Sequence, residues 1–209
     1  MRFVDAFAGI GGFHLGVKRA VPDAECVMAI EWNKQSQVVY LDNHELVDDR
    51  MESDITKIDP NTIPDCDAIF GGFPCPSFSQ AGKTHILNGG EVKDDERAML
   101  YLPLVEILRA KQPKFCIFEN VPGLARTKYG DGTFLDLIVG SIEETGYTVT
   151  VDIVANTAVG IPQDRKRLFI VGVREDLDRK FTFPPHLFLG KCRTSMEDLL
   201  QTQDIGEYD

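Results

Sequence analysis

Arg2-Phe3-Val4-Asp5-Ala6-Phe7, then Ala8-Gly9-Ile10-Gly11-Gly12, then Phe13 to Ala20 is the stretch on which the fold turns. Its first six residues read as a buried strand and the glycines as the tight turn after it. Phe13, Val17 and Ala20 recur at helical spacing, so a helix follows. Glycines let the backbone approach a ligand closely, and a helix start offers unpaired N–H groups. A strand, glycine turn and helix in this order serve NAD, FAD and other nucleotide-like cofactors, although such a turn alone is a weak signal.

Working outward, Glu25 to Ile30 gives a second strand that ends in Glu31-Trp32, about 20 residues past the glycines, where an acidic side chain takes the two hydroxyls of a ribose. Trp32, the single tryptophan, either lies against an adenine ring or serves as a rim aromatic. Asp54-Ile55 is a third candidate for the same pocket. Ala68-Ile69-Phe70 is a short buried strand that leads into Gly71-Gly72-Phe73-Pro74-Cys75-Pro76. A cysteine between two prolines at a strand's carboxyl end is either placed to react, because ligands bind there in open α/β sheets, or a small hydrophobe packed in the turn, as most free cysteines are. The polar, glycine-containing stretch from Gln80 to Asp95 reads as a loop that closes over a substrate.

Leu100 to Leu108 resumes a helical pattern, with Pro103 acceptable in a first turn. Lys114 to Phe118 is another buried strand, followed by Glu119-Asn120-Val121-Pro122, which puts a carboxylate at a second strand end. Phe134, Leu137, Ile138 and Ile142 share one face of a helix. Tyr147 to Val154 and Leu168 to Val173 read as strands joined through Asn156 to Arg167. Strands alternating with helices predict an α/β fold with a mixed, mostly parallel sheet and helices on both faces. The last two strands either continue that pattern or close the sheet as an antiparallel hairpin. Residues 1–180 are expected to form one catalytic and cofactor-binding domain, and 181–209 an acidic linker after Pro184-Pro185.

With 209 residues, 43% of them hydrophobic and 26% charged, the chain suffices for the core of one domain. No secretory signal or membrane-length apolar run is present, so a soluble, cytosolic protein is expected, with no membrane partner. The 5 cysteines are scattered without a CxxC pair, which suggests neither a disulfide framework nor a metal site. A net charge of -11 argues against binding to a phosphate backbone unless basic residues gather locally. Arg126 and Lys128 in one loop, and Arg165, Lys166 and Arg167 in another, are the candidates for such a face.

Taken together, Asp5 to Gly12, Glu31-Trp32, Asp54-Ile55, Pro74-Cys75, Glu119-Asn120-Val121 and Gln163-Asp164-Arg165-Lys166-Arg167 resemble the ordered motif series of the DNA (cytosine-5)-methyltransferases. The resemblance covers the chain from its first residues to about Val173. It implies a Rossmann-like, S-adenosylmethionine-dependent methyltransferase fold acting on C5 of a cytosine flipped out of double-stranded DNA. It carries over Cys75 as the nucleophile that adds to C6, Glu119 as the group that protonates N3, and Arg167 or Arg165 as the residue holding O2. For the cofactor it implies Phe7, Gly9, Ile10 and Gly11 as a backbone cradle, and Glu31 on the ribose. Trp32, Asp54 and Ile55 would meet the adenine, with Pro74 and Leu100 as pocket wall. Pro76 stands where many members have Gln. The family's target-recognition region and last motifs have no counterpart here, so a truncated or split enzyme, completed by a further region or subunit, is expected. Alternatives are an RNA cytosine methyltransferase and a non-catalytic partner-binding paralogue.

Overall fold

The protein is seen here as a computed structural model that describes residues 1–74 and 96–185. Cys75, the Gln80 to Asp95 loop and most of the acidic linker lie outside the described residues.

Five strands run parallel: β1 (Arg2–Ala6), β2 (Glu25–Ile30), β3 (Met51–Glu52), β4 (Ala68–Gly71) and β5 (Phe115–Asn120). A small hairpin, β6 (Lys128–Tyr129) and β7 (Gly132–Thr133), stands apart. The last strands, β8 (Tyr147–Ala155) and β9 (Lys166–Arg174), pair antiparallel to each other, and β9 pairs antiparallel to β5. The 7-stranded sheet has the order β3-β2-β1-β4-β5-β9-β8. Of the two arrangements open to the last strands, the antiparallel hairpin is the one formed. The stretch between them is too short for a crossover helix, which a parallel connection requires.

Helices α1 (Gly12–Ala20) and α2 (Lys34–Asn43) cover one face, and α3 (Leu102–Lys111) and α4 (Phe134–Glu143) the other. The side chains of β1 show the division. Phe3 joins Val17 of α1 and Tyr40 of α2 in one core, while Val4 and Ala6 join Leu104 and Leu108 of α3 and Phe134 and Ile138 of α4 in the second. With both faces covered, the central strands read as nearly continuous apolar runs, which is why the sequence shows them clearly.

Several boundaries differ from expectation. β1 stops at Ala6, because Phe7 turns into left-handed backbone with φ 53°. The helix expected from Leu100 begins at Leu102, after a 3-10 turn over Glu96–Tyr101, with Pro103 in its first turn. Glu119 and Asn120 lie within β5 rather than beyond it. Helix α2 carries no apolar stripe to announce it. Its buried residues are Gln37 and Tyr40, whereas Val38, Val39 and Leu41 are exposed.

Candidate active site

Strand order reverses between β1 and β4, and ligands bind at such a switch point beyond the carboxyl ends of the strands. A cavity of about 730 Å³ opens there. Phe7, Glu31, Trp32, Asp54, Ile55, Pro74 and Leu100 line it, all of them expected from the sequence, together with Ile30, Ser53, Thr56 and Gly72. The last four were not anticipated, although each is a chain neighbour of an expected residue or motif. Gly9, Ile10 and Gly11 are not among the lining residues.

Glu31 occupies one end. Its Oε2 accepts the Gly9 N–H at 2.8 Å and its Oε1 the Asn33 N–H at 2.7 Å, so the carboxylate ties the glycine turn to the end of β2. Each oxygen keeps a lone pair for a further donor. Trp32 is 72% exposed, leaving its ring available to a flat ligand. Asp54 is largely committed to its own loop. Its Oδ1 accepts from the Thr56 N–H at 3.1 Å and the Thr56 hydroxyl at 2.7 Å, and its Oδ2 pairs with Lys57 Nζ at 3.0 Å. The Thr56 hydroxyl and then Lys57 hold the Asp54 carboxyl below its usual range, so it stays anionic. Helix α2 supports this wall, for Lys34 Nζ and Gln37 Nε2 both donate to Ser53 Oγ, at 2.8 and 3.1 Å.

At the other end Gly72 adjoins Glu119: a Cβ on Gly72 would stand 3.4 Å from Glu119 Oε2. In the β5–β9 register Glu119 lies opposite Phe169, so Arg167, two residues away along β9, emerges on the same face. Its Nε donates to Glu119 Oε1 at 2.6 Å. Arg165 in the loop between β8 and β9 and Lys166 at the start of β9, by contrast, are exposed, and so are Arg126 and Lys128. Gln163 is also exposed, and its Oε1 accepts from Asn156 across that loop at 2.9 Å. Asn120 is buried and donates through Nδ2 to the Phe73 carbonyl at 3.2 Å. This bond anchors the chain two residues before Cys75, a role the sequence reading did not assign.

The described cysteines are poor nucleophiles. Burial pushes the thiols of Cys26 and Cys116 up to about 12 and that of Cys66 up to about 11, so they stay protonated. Among the described residues no cluster of His, Cys, Asp and Glu is arranged to hold a metal ion. No helix there is long and apolar enough to cross a membrane.

Residues 1–207 match the family described as C-5 cytosine-specific DNA methylase. Relatives include the type II methyltransferase M.HhaI of Haemophilus parahaemolyticus, 36% identical over 201 residues, which are 96% of this chain and 57% of that protein. Another is M.NlaX of Neisseria lactamica, 35% identical over 208 residues, or 99% of this chain and 62% of that one. The chain thus spans little more than half the length of these relatives. Among solved structures, Schizosaccharomyces pombe Dnmt2 methyltransferase superposes with a TM-score of 0.68 at 21% identity, covering 99% of this chain and 57% of that one. Entamoeba histolytica methyltransferase EhMeth gives 0.66 at 20%, covering 88% and 56%. These likenesses show the fold, a Rossmann-like, mostly parallel sheet shared with those methyltransferases. On its sequence match and its sheet, the chain belongs to the C-5 cytosine-specific DNA methylase family.

Proposed function

We propose that this protein transfers a methyl group from S-adenosylmethionine to C5 of cytosine in double-stranded DNA, through a covalent bond between Cys75 and C6 of the ring. The observation that carries the reading is the placement of two sites at one sheet edge. Glu31 and Gly72 line the cavity, Gly72 in turn adjoins Glu119 of the Glu119–Arg167 pair, and Pro74, next to Cys75 in the chain, also lines the cavity.

The cavity suits the cofactor. Its volume is that of a site for a drug-sized ligand. The spare lone pairs of Glu31 suit a ribose diol, and Trp32 and Ile55 offer apolar surface to an adenine. The carboxylates of Glu31 and Asp54 favour a cationic sulfonium over a neutral ligand. Bound there, the cofactor supplies an electrophilic methyl group.

The chain's own residues make cytosine able to accept it. C5 of cytosine is weakly nucleophilic, so the Cys75 thiolate adds to C6 and raises electron density at C5. Glu119 hydrogen-bonds and protonates N3, so the charge from that attack is not left on the ring. Arg167, held by Glu119, is the arginine positioned for the base O2. Exposed Arg165 is left to contact the DNA backbone. After transfer, the C5 proton leaves to a base, and elimination at C6 with return of the N3 proton to Glu119 releases the thiolate and 5-methylcytosine. The target atom lies inside the duplex, so the base must be extruded into the site. Choice of target sequence is proposed to lie outside these 209 residues, in the same or a second chain.

The test is transfer of labelled methyl groups to duplex DNA and to RNA, supplied with the relatives' target-recognition portion in trans, with the product identified by mass. Label in DNA 5-methylcytosine is expected. Cys75→Ala should abolish it, Arg167→Ala should lower the rate by about 10²-fold or more, and Arg165→Ala should mainly weaken DNA binding. Undiminished transfer by Cys75→Ala, or label in RNA alone, would overturn the reading.

A further inference from the structure

Behind the glycine turn, on the face covered by α1 and α2, lies a group of polar side chains that the chemistry above does not use. Asp5 in β1, His14 in α1 and Tyr40 in α2 are buried. The Tyr40 hydroxyl donates to Asp5 Oδ2 at 3.3 Å, and His14 Nδ1 lies 2.8 Å from that hydroxyl oxygen. The imidazoles of His14 and His44 stack, with centroids 4.4 Å apart and planes inclined by 21°. His44 Nε2 lies 3.2 Å from the Ile10 carbonyl, an acceptor, so Nε2–H donates to it. A continuous set of contacts therefore leads from β1 through both helices and back to the turn.

That turn needs support. Phe7, Gly9 and Gly11 all have left-handed backbone, with φ of 53°, 55° and 92°. For a bulky residue such as Phe7 this conformation is unfavourable and persists only where the surroundings over-determine it. Two side chains do so from opposite sides. Glu31 takes the Gly9 N–H from the cavity, and His44 takes the Ile10 carbonyl from behind. The imidazole is seated directly on the turn, for a Cβ at Gly11 would lie 2.1 Å from His44 Nε2.

The ring beside His44 is neutral. Burial first, then the charges of His44 and Lys18, lower His14 to about 4. Burial likewise raises Asp5 to about 8, with Glu31 adding to the shift against the hydrogen bonds from Tyr40 and the His14 N–H. At neutral pH the inner part of the group thus carries no charge, and its hydrogen bonds are those of neutral partners.

We propose that His44, backed by His14, Tyr40 and Asp5, is a positioning residue for the cofactor: it holds the Phe7–Gly12 turn in its strained shape, so that the cofactor does not have to impose that shape on binding. This rests on the reading that the cavity takes S-adenosylmethionine. His44 does not line the cavity, and it acts through the Ile10 carbonyl.

The test uses His44→Phe, which keeps an aromatic ring for the stack but loses the donor, and His44→Gln, which keeps an N–H donor. Affinity for S-adenosylhomocysteine is measured by calorimetry, and amide exchange at Gly9 and Gly11 is measured without ligand. His44→Phe should bind about 10-fold more weakly and exchange faster at those amides, and His44→Gln should recover most of the affinity. Wild-type affinity and exchange in His44→Phe would overturn the inference while leaving the cofactor reading intact. Failure of the unaltered protein to bind the ligand would overturn both.

Discussion

Asp5 is a carboxyl group in a strand whose neighbours Phe3, Val4 and Ala6 are all fully buried. Its Oδ1 is buried without a hydrogen-bond partner among the described residues, so the neutral acid is the form that burial tolerates. Asp5 holds its proton up to about pH 8 when folded but releases it near 3.8 when unfolded. Between those values the folded chain binds one proton more, and stability falls as pH rises. His14 acts in the opposite sense between about 4 and 6.5, where the unfolded chain binds the extra proton. The two slopes largely cancel up to pH 6.5, leaving Asp5 alone from there to about 8. The protein should lose about 2 kcal/mol of unfolding free energy over that interval, and Asp5→Asn should not. Denaturant titrations at pH 6.5 and 8 measure this, and equal losses in both proteins would contradict it. The acidic and basic residues of the site were legible as types at strand ends, Glu31 and Glu119 among them. The Asp5–Tyr40–His14 group was not, because contacts across 26 to 35 positions of chain leave no local pattern.

Among the elements, α4 shows how completely a local signal can specify a boundary. Thr133 Oγ1 accepts the Asp136 N–H at 3.1 Å, and Asp136 Oδ2 accepts the Thr133 N–H at 2.8 Å, a reciprocal capping box. Thr133→Ala should cost about 1 kcal/mol of stability, read as a lower denaturation midpoint with an unchanged denaturant slope. No change in midpoint would mean that tertiary packing of Phe134, Ile138 and Ile142 fixes the helix without its cap. Helices α3 and α4 were legible because most of their apolar residues fall on one face; α1 was legible from Phe13 and Val17 after the glycine turn, although Ala20, expected on the same face, is exposed and His14 is buried instead. Helix α2 has its exposed valines and leucine mixed with a buried Gln and Tyr, so periodicity fails. The one local clue to it was Asn33, whose side chain caps Gln35 and Ser36. The β8–β9 pair was legible as strands but not in direction, since direction depends on the length of the connection and on which edge of the sheet is free.

At the scale of the molecule, the sheet brings together parts that are far apart in the chain. The glycine turn follows β1, Glu31 follows β2, Asp54 follows β3, Gly72 and Pro74 follow β4, and Glu119 with Arg167 closes β5 against β9. The parallel strands all present their carboxyl ends on one edge, so motifs separated by more than a hundred residues converge without any of them being neighbours in sequence. The chain is acidic overall, at -11; the basic residues Arg126, Lys128, Arg165 and Lys166 are exposed, and under the proposed function they are the candidates for contact with a phosphate backbone. The central claim is the covalent chemistry at Cys75, and the most direct test is trapping. The protein, with a target-recognition portion supplied, is incubated with S-adenosylmethionine and a duplex carrying 5-fluorocytosine, which blocks the final loss from C5. A stable protein–DNA adduct, mapped by mass to Cys75 and absent from Cys75→Ser, is the predicted result. Methylation of ordinary cytosine by the same preparation without any such adduct would contradict the account.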